Sequence, residues 1–143
     1  MHIIKLNAID STNSYLKDLS AKQTVANFTV VVAENQTNGR GQRGANWEVE
    51  NGKNLTFSKF TNHNPAFTSE LYTINILASI ALIKVLEKYQ LSQLHIKWPN
   101  DILSENKKIC GILIENVIKS DRSIHCIIGI GLNVNQMAFE NLP

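Results

Sequence analysis

The chain has 143 residues, of which 43% are hydrophobic, and this length and composition suit one compact domain rather than a disordered or fibrous protein. Its formal net charge is only +2 and the basic residues are scattered, so the charge gives no reason to expect a nucleic-acid partner or an anionic membrane surface. The segment MHIIKLNAID has no long apolar run, so neither a signal peptide nor a membrane anchor is predicted there.

Two cysteines, Cys110 and Cys126, each lie inside an apolar run that is typical of a buried strand. No CxxC pair or CxxH spacing accompanies them, so the pattern favours buried thiols over a disulfide or a metal site. Free thiols persist in a reducing compartment, and the sequence therefore predicts a cytoplasmic protein.

The chain begins with a predicted strand and helix. Residues 2–9 alternate and contain β-branched residues, which predicts a strand, and Asp10 or Ser11 can cap the helix that follows. The apolar side of this helix is expected to hold Tyr15, Leu16 and Leu19.

Two more strands and a long helix come next. Residues 28–34 form a continuous β-branched run typical of a buried strand, and residues 54–60 alternate like a half-buried one. Residues 68–89 carry apolar side chains at spacings of three and four, which predicts an amphipathic helix packed on a sheet. The predicted apolar face of this helix consists of Leu71, Ile74, Ala78, Ala81, Leu82, Val85 and Tyr89.

Three strand-like runs complete the chain, at residues 94–99, 108–117 and 123–132. The polar turns NDILSENK and KSDR between them are short enough for an antiparallel meander. Residues 1–143 are therefore predicted to form one domain of the α/β or α+β class, with a mixed, largely antiparallel sheet flanked by helices.

The segment NGRGQRGANW, residues 38–47, is called the glycine loop here, and its Gly39, Gly41 and Gly44 match the pattern GxGxxG. A dinucleotide-binding turn does not fit, because no helix pattern follows and no acidic residue stands about 20 positions later. The partner motifs of a protein kinase and the GK[ST] ending of a Walker loop are also missing.

Arginines between these glycines suggest anion binding, although an ordinary solvated surface loop stays an alternative. Glycines let backbone N–H groups approach an anion closely, and the guanidinium groups of Arg40 and Arg43 can contact phosphate or carboxylate with two hydrogen bonds each.

Two further clusters accompany the glycine loop. KWPND spans residues 97–101 and is followed by Lys108 and Gly111, while GIGLNVN spans residues 129–135. Both tryptophans and all glycines except Gly52 fall within these three segments.

In this combination the chain resembles the biotin protein ligases. The family's Ser-Thr-Asn motif appears at residues 11–13, its glycine-arginine loop at residues 39–44, KWPND at residues 97–101 and GxGxNxN at residues 129–135. The motifs follow the family's order over nearly the whole chain. The resemblance implies the fold shared by class II aminoacyl-tRNA synthetases and biotin ligases.

The resemblance implies a two-step reaction. Biotin and ATP give biotinyl-5'-AMP and pyrophosphate, and a lysine of a biotin carboxyl carrier protein or domain then takes the biotin. The two reactants repel each other, by about 1 kcal/mol per charge pair at about 4 Å in water and about 4 in a partly dry site. Arg40, Arg43 and Lys108 are the residues expected to offset this repulsion as catalytic cations.

The resemblance also implies a residue set for each ligand. The biotin set is Ser11, Thr12, Asn13, Gln36 and Gly111. The nucleotide or adenylate set is Gly39, Arg40, Gly41, Gln42, Arg43, Gly44, Trp47, Lys97, Asn100, Asp101, Lys108 and Asn133. Mg²⁺ is expected on the triphosphate, with Asp101 and Asn100 as candidate ligands.

Simpler interpretations stay open for single residues. Residues 11–13 could serve only as a helix cap, Trp98 and Pro99 as a rigid strand end, and Asn133 as a turn former. Lys108 could be half of a solvated hairpin pair with Lys107.

Other functions are also open at this stage. A lipoate ligase or octanoyltransferase would share the general fold, and a biotin-binding module without catalysis is a further alternative. An RNA-binding arginine-glycine segment is not favoured, because aromatic residues for base stacking are not interleaved with it.

Some features depart from the family pattern. Gln42 and Ala45 stand where the family often carries arginines, so the loop has fewer cations to retain the adenylate. Members continue past GIGLNVN, so a C-terminal remainder is expected to be missing, and no DNA-binding domain is expected before the first strand. A homodimer is an option, with IHCIIGI as a candidate edge strand. Residues 35–53 are expected to be mobile without ligand and to close over the adenylate.

Overall fold

A computed structural model describes residues 1–63 and 71–139 of the chain. These residues form a seven-stranded sheet in the order β1-β2-β3-β7-β6-β5-β4. The strands are β1 (Ile3–Ile9), β2 (Val30–Gln36), β3 (Asn54–His63), β4 (His95–Lys97), β5 (Asp101–Ser104), β6 (Lys107–Ile118) and β7 (Ile124–Asn133). The α-helices of the described residues are α1 (Thr12–Lys22) and α2 (Leu71–Leu86).

The pairing pattern confirms a mixed, largely antiparallel sheet. β1 and β2 are parallel and are joined through α1, whereas every other neighbouring pair is antiparallel. β4, β5, β6 and β7 form an antiparallel meander, in which each strand pairs with the next along the chain.

One prediction about the strands is wrong, and the position of β7, which the sequence left open, is now given. The predicted turn NDILSENK contains β5, and the actual turn is Glu105–Asn106, where both residues have positive φ. The short ILS run was missed because only four residues of this strand separate the polar segments on either side. β7 is not an edge strand, since it lies between β3 and β6. Pairing of two copies by strand addition would therefore have to use β1 or β4 of the described sheet.

The face of α2 that packs on the sheet agrees only in part with the predicted face, which correctly included Ile74, Ala78 and Leu82. Ile74, Ala78, Leu82 and Leu86 pack against the core, at a regular spacing of four. Ala81, Val85 and Tyr89 were predicted on this face but are exposed, and Tyr89 lies in a 3-10 turn after α2. The helix is apolar nearly all round, so its periodicity does not select one side. Residues 68–70 of the predicted helix lie outside the described residues.

The two helices cover opposite faces of the sheet. Leu16 of α1 packs with Ile127 of β7, whereas α2 packs with Cys126 and Ile128 on either side of it. Successive side chains of a strand point to opposite faces. Odd-numbered residues in the middle of β6 and β7 therefore face α1, and even-numbered residues face α2.

Burial makes both thiols poor acids. Cys110 and Cys126 are free and fully buried. Burial raises the pKa of Cys110 to about 12, and it also raises the pKa of Cys126. These residues act as core side chains under α2, as the sequence predicted.

Candidate functional site

A cavity of about 190 Å³ opens on the α1 face of the sheet, between the N-terminus of α1, the glycine loop and strands β6 and β7. Most of the sequence-predicted site residues meet in it. Those that line the cavity are Ser11, Thr12, Asn13, Gln36, Arg40, Gly41, Gln42, Trp47, Asn100, Asp101, Lys108 and Gly111.

The first turn of α1 brings polar groups to the cavity. Ser11 is the N-cap, and its hydroxyl accepts from the Ser14 N–H at 3.5 Å, so the helix-cap interpretation holds for this residue. Thr12 and Asn13 are almost fully buried. Both the backbone N–H and the hydroxyl of Thr12 reach Oε1 of Gln36, at 2.8 Å and 3.0 Å.

Ser58 of β3 completes this group and was missed by sequence reasoning. Its buried hydroxyl lies 2.6 Å from Asn13 Oδ1 and 2.7 Å from Thr12 Oγ1. An amide oxygen only accepts, so the Ser58 hydroxyl donates to Asn13. We call Thr12, Asn13, Gln36 and Ser58 the polar cluster. The alternation of residues in NLTFSKF predicted a strand, but nothing in it marked Ser58 as a site residue.

Glycines on facing strands make the floor of the cavity. Gly111 of β6 pairs with Gly131 of β7, and Gly129 lies two residues before Gly131 on the same face. A Cβ on Gly129 would overlap the side-chain amide of Asn13, and one on Gly131 would overlap the indole of Trp47. Side chains from α1 and from the glycine loop can therefore lie directly on the backbone of the sheet.

The glycine loop carries its own backbone hydrogen bonds. Gly41 N–H donates to Ala45 O at 2.6 Å, and Trp47 N–H donates to Gly39 O at 2.9 Å. The indole of Trp47 lies on the glycine floor, and the ammonium of Lys108 is 5.6 Å from its ring centroid. These contacts give the loop its own internal pairing, and the mobility expected for residues 35–53 without ligand stays a prediction.

Lys108 and Asp101 face each other across β5 and β6. Their Nζ and Oδ1 atoms are 2.8 Å apart, and Lys108 keeps 44% of its side-chain surface exposed. Asn133 Nδ2 donates to the carbonyl of Lys108 at 3.5 Å. Asn100 pairs with Ile112 through its backbone and through its side-chain amide, which fixes the KWPND turn on β6.

Five residues of the predicted adenylate set do not line this cavity. Lys97 lies exposed on the terminal strand β4, and Arg43 lies exposed in a left-handed conformation with φ of 55°. Gly39 and Gly44 each line a neighbouring depression of the surface. The side chain of Asn133 contacts the backbone carbonyl of Lys108. Gly39 is needed for packing, because a Cβ there would overlap the carbonyl of Trp47.

The predicted Mg²⁺ ligands do not form a metal site by themselves. Among residues 1–63 and 71–139, no group of three or more His, Cys, Asp or Glu side chains is placed to hold an ion. Asp101 contributes one carboxylate, which already pairs with Lys108. In the same described ranges, neither helix has the length and apolar content needed to cross a bilayer.

Comparison with known proteins identifies the family of the chain. Residues 6–133 match the model of the biotin/lipoate A/B protein ligase family. The chain therefore belongs to the biotin/lipoate A/B protein ligase family.

Individual relatives show which members of the family the chain is similar to. The chain is 36% identical over 137 residues to the bifunctional ligase/repressor BirA of Bacillus spizizenii, covering 96% of this chain and 42% of that protein. It is 28% identical to the biotin–[acetyl-CoA-carboxylase] ligase of Mycobacterium tuberculosis, covering 93% and 49%. The fold matches the biotin protein ligase of Aquifex aeolicus in complex with biotin and ATP at a TM-score of 0.78, with 32% identity, over 97% of this chain and 55% of that one. The chain thus spans about half the length of these relatives.

Proposed function

We propose that this chain carries the biotin-adenylation site of an ATP-dependent biotin protein ligase. The observation that carries the proposal is that the neutral polar groups of Thr12, Asn13 and Gln36 line one cavity together with the cations Arg40 and Lys108. Such a cavity suits a ligand with a neutral hydrogen-bonding head at one end and an anion at the other, as biotin has.

The polar cluster is the proposed seat of the ureido ring. Gln36, Thr12 and Asn13 offer donors and acceptors that are held in place by buried and partly buried hydrogen bonds. A ligand that leaves such buried groups unpaired loses about 1–3 kcal/mol per group. Ser11 and the backbone of Gly111 are the remaining proposed biotin contacts.

Arg40, Arg43 and Lys108 are the proposed catalytic cations of the first step. An oxygen of the biotin carboxylate attacks the α-phosphorus of ATP, a new P–O bond forms, and the bond to the pyrophosphate leaving group breaks. Arg40 and Lys108 offset the repulsion between the two anions, and their charges stabilise the negative charge of the transition state. Arg43 would have to approach from its present exposed position, which requires movement of the loop.

The remaining residues of the proposed adenylate set surround this reaction. Trp47 lies over the cavity floor and offers an aromatic face to the nucleotide or to biotin. Asp101 orients Lys108 through their ion pair. Mg²⁺ is proposed to arrive with the triphosphate, since Mg²⁺ is commonly held by substrate phosphates and few carboxylates.

In the second step, the amine of a carrier lysine attacks the acyl carbon of the adenylate, an amide bond forms, and AMP leaves. We propose a biotin carboxyl carrier protein or domain as the acceptor, and the name of the Mycobacterium relative supports this class. Two free buried thiols support a cytoplasmic location.

Calorimetric titration with biotin, followed by ATP, tests the proposal together with pyrophosphate release. The wild-type chain should bind biotin and release pyrophosphate, whereas Lys108→Ala should retain biotin binding and lose release by about 100-fold or more. Lys107→Ala removes a neighbouring exposed ammonium from the same strand and is the matched control.

The same assay separates the alternatives. Biotin binding without pyrophosphate release would favour a binding module, and stronger competition by lipoate than by biotin would favour a lipoate ligase. If the wild-type chain neither binds biotin nor releases pyrophosphate, the proposal is wrong.

A further inference from the structure

Glu115 of β6 is a charged residue beside the cavity to which the adenylation chemistry gives no role. It faces the α1 side of the sheet with Gly111, and 21% of its side chain is exposed. Its Oε2 atom accepts from Arg40 Nη2 at 2.5 Å and from Asn13 Nδ2 at 2.9 Å. One carboxylate oxygen therefore joins the glycine loop to the first turn of α1.

We propose that Glu115 is a positioning residue that fastens the glycine loop to the polar cluster, so that loop position and biotin recognition depend on each other. The inference deepens the function proposed above and relies on it for the ligand. Its structural half, the attachment of the loop, can be tested without any ligand.

The orientation of Asn13 depends on Glu115. A carboxylate can only accept hydrogen bonds, so Glu115 selects the NH₂ end of the Asn13 amide. The same NH₂ group reaches the carbonyl of Leu113 at 3.2 Å. The oxygen end must then face Ser58, which donates to it at 2.6 Å. Glu115, together with the Leu113 carbonyl, thus sets the donor and acceptor pattern that the polar cluster presents.

The position of Arg40 depends on the same oxygen. Hydrogen bonds between two charged groups are roughly twice as strong as neutral ones, and this pair is partly shielded from water. Lys17 is a weaker neighbour of Glu115, because its Nζ is 4.0 Å from Oε1 and half of its side chain is exposed. Removal of Lys17 should therefore change little, which makes it a control.

Trypsin cleavage after Arg43 in the ligand-free protein measures attachment of the loop. Glu115→Gln removes the charge but keeps the size, and it should speed this cleavage about tenfold. Glu87→Gln makes the same change at an exposed residue outside the sheet and should leave the rate unchanged. Equal rates for wild type and Glu115→Gln would overturn the proposal.

A double-mutant cycle tests whether Glu115 acts through Arg40. Arg40→Ala should speed cleavage after Arg43, and adding Glu115→Gln should then have little further effect. If the double variant is cleaved at a rate that equals the product of the two single effects, Glu115 and Arg40 do not act through one shared contact. Thermal unfolding of each variant identifies any that fails to fold. Glu115→Asp, which keeps the charge but is one methylene shorter, then replaces such a variant and should also speed cleavage.

Biotin titration tests the link to recognition. Glu115→Gln should weaken biotin binding about tenfold, which is about 1.4 kcal/mol, while Lys17→Ala should bind like wild type. Wild-type affinity in Glu115→Gln would overturn this link. If the wild-type chain itself does not bind biotin, the proposed function and this link fail together, and the cleavage rates still decide whether Glu115 attaches the loop.

Discussion

The two sides of the cavity differ in burial and in charge. On one side, Thr12, Asn13 and Ser58 are between 0% and 4% exposed and satisfy one another with hydrogen bonds. On the other side, Lys108 and Arg40 keep 44% and 38% of their side-chain surface exposed.

The difference follows from the cost of burial. Neutral polar groups can be buried before a ligand arrives, provided that they pair with each other. Cations lose too much hydration to be buried without an anion, so they stay near the surface, each with one carboxylate partner. We therefore expect the neutral side to be ready before binding and the cationic side to be completed by an anionic ligand.

Gly129→Ala should break the neutral side most severely. The added methyl group would overlap the amide of Asn13, which lies against this buried backbone position. Biotin affinity should fall about 100-fold or more, and the free energy of unfolding should fall by about 1–3 kcal/mol. Calorimetry and thermal unfolding measure the two effects.

The companion variant of that experiment is Gly131→Ala, which displaces the indole of Trp47 rather than the polar cluster. It should speed proteolysis of the glycine loop and lower stability less than Gly129→Ala does. The same loss of stability and of biotin affinity in both variants would show that the cavity does not have separate sides.

Thr12→Val removes one hydroxyl from the polar cluster at nearly constant volume. The change removes a hydroxyl of the proposed biotin seat and its hydrogen bond to Gln36, so biotin binding should weaken by about 1–3 kcal/mol. Thr24→Val, the same change at an exposed residue after α1, is the control. Unchanged affinity in Thr12→Val would mean that the cluster supports the fold but not the ligand.

Salt should weaken ligand binding at the cationic side more than at the neutral side, and this difference should be smaller than the effects above. Raising ionic strength from about 0.05 M to about 0.5 M shortens the screening length, so pyrophosphate binding should weaken several-fold. Binding of biotin amide, which lacks the carboxylate charge, should stay nearly constant. Equal salt dependence of the two ligands in calorimetry would contradict the division.

The last prediction concerns Cys110, beneath the cationic side, and its effect is confined to high pH. Its pKa is raised from 9.0 to about 12, mainly by burial, so the folded protein keeps the thiol neutral where the unfolded chain ionises it. This contribution is complete below pH 9 and is lost as the pH rises towards 12. Chemical denaturation across this window should show a shallower loss of stability in Cys110→Ala. An unchanged slope would refute the assignment.

Much of the cavity could be predicted from the sequence because its residues occur in compact motifs. Ser11 to Asn13, Gln36, Arg40, Lys108 and Gly111 were all predicted, and all of them line the cavity. Ser58 and Glu115 were missed because each is one ordinary polar residue inside a predicted strand. Their roles arise from pairing with residues 45 and 102 positions away in the chain.

The amino-acid sequence by itself determined where most strands and both helices run, since apolar periodicity and glycine position are local properties. The tertiary structure decided which side of α2 is buried, that β7 is internal, and that odd-numbered residues of β6 face the cavity. The physical reason is that packing faces, strand order and shared hydrogen bonds depend on contacts between distant segments. The local pattern of residues along the chain does not show which distant segments will touch.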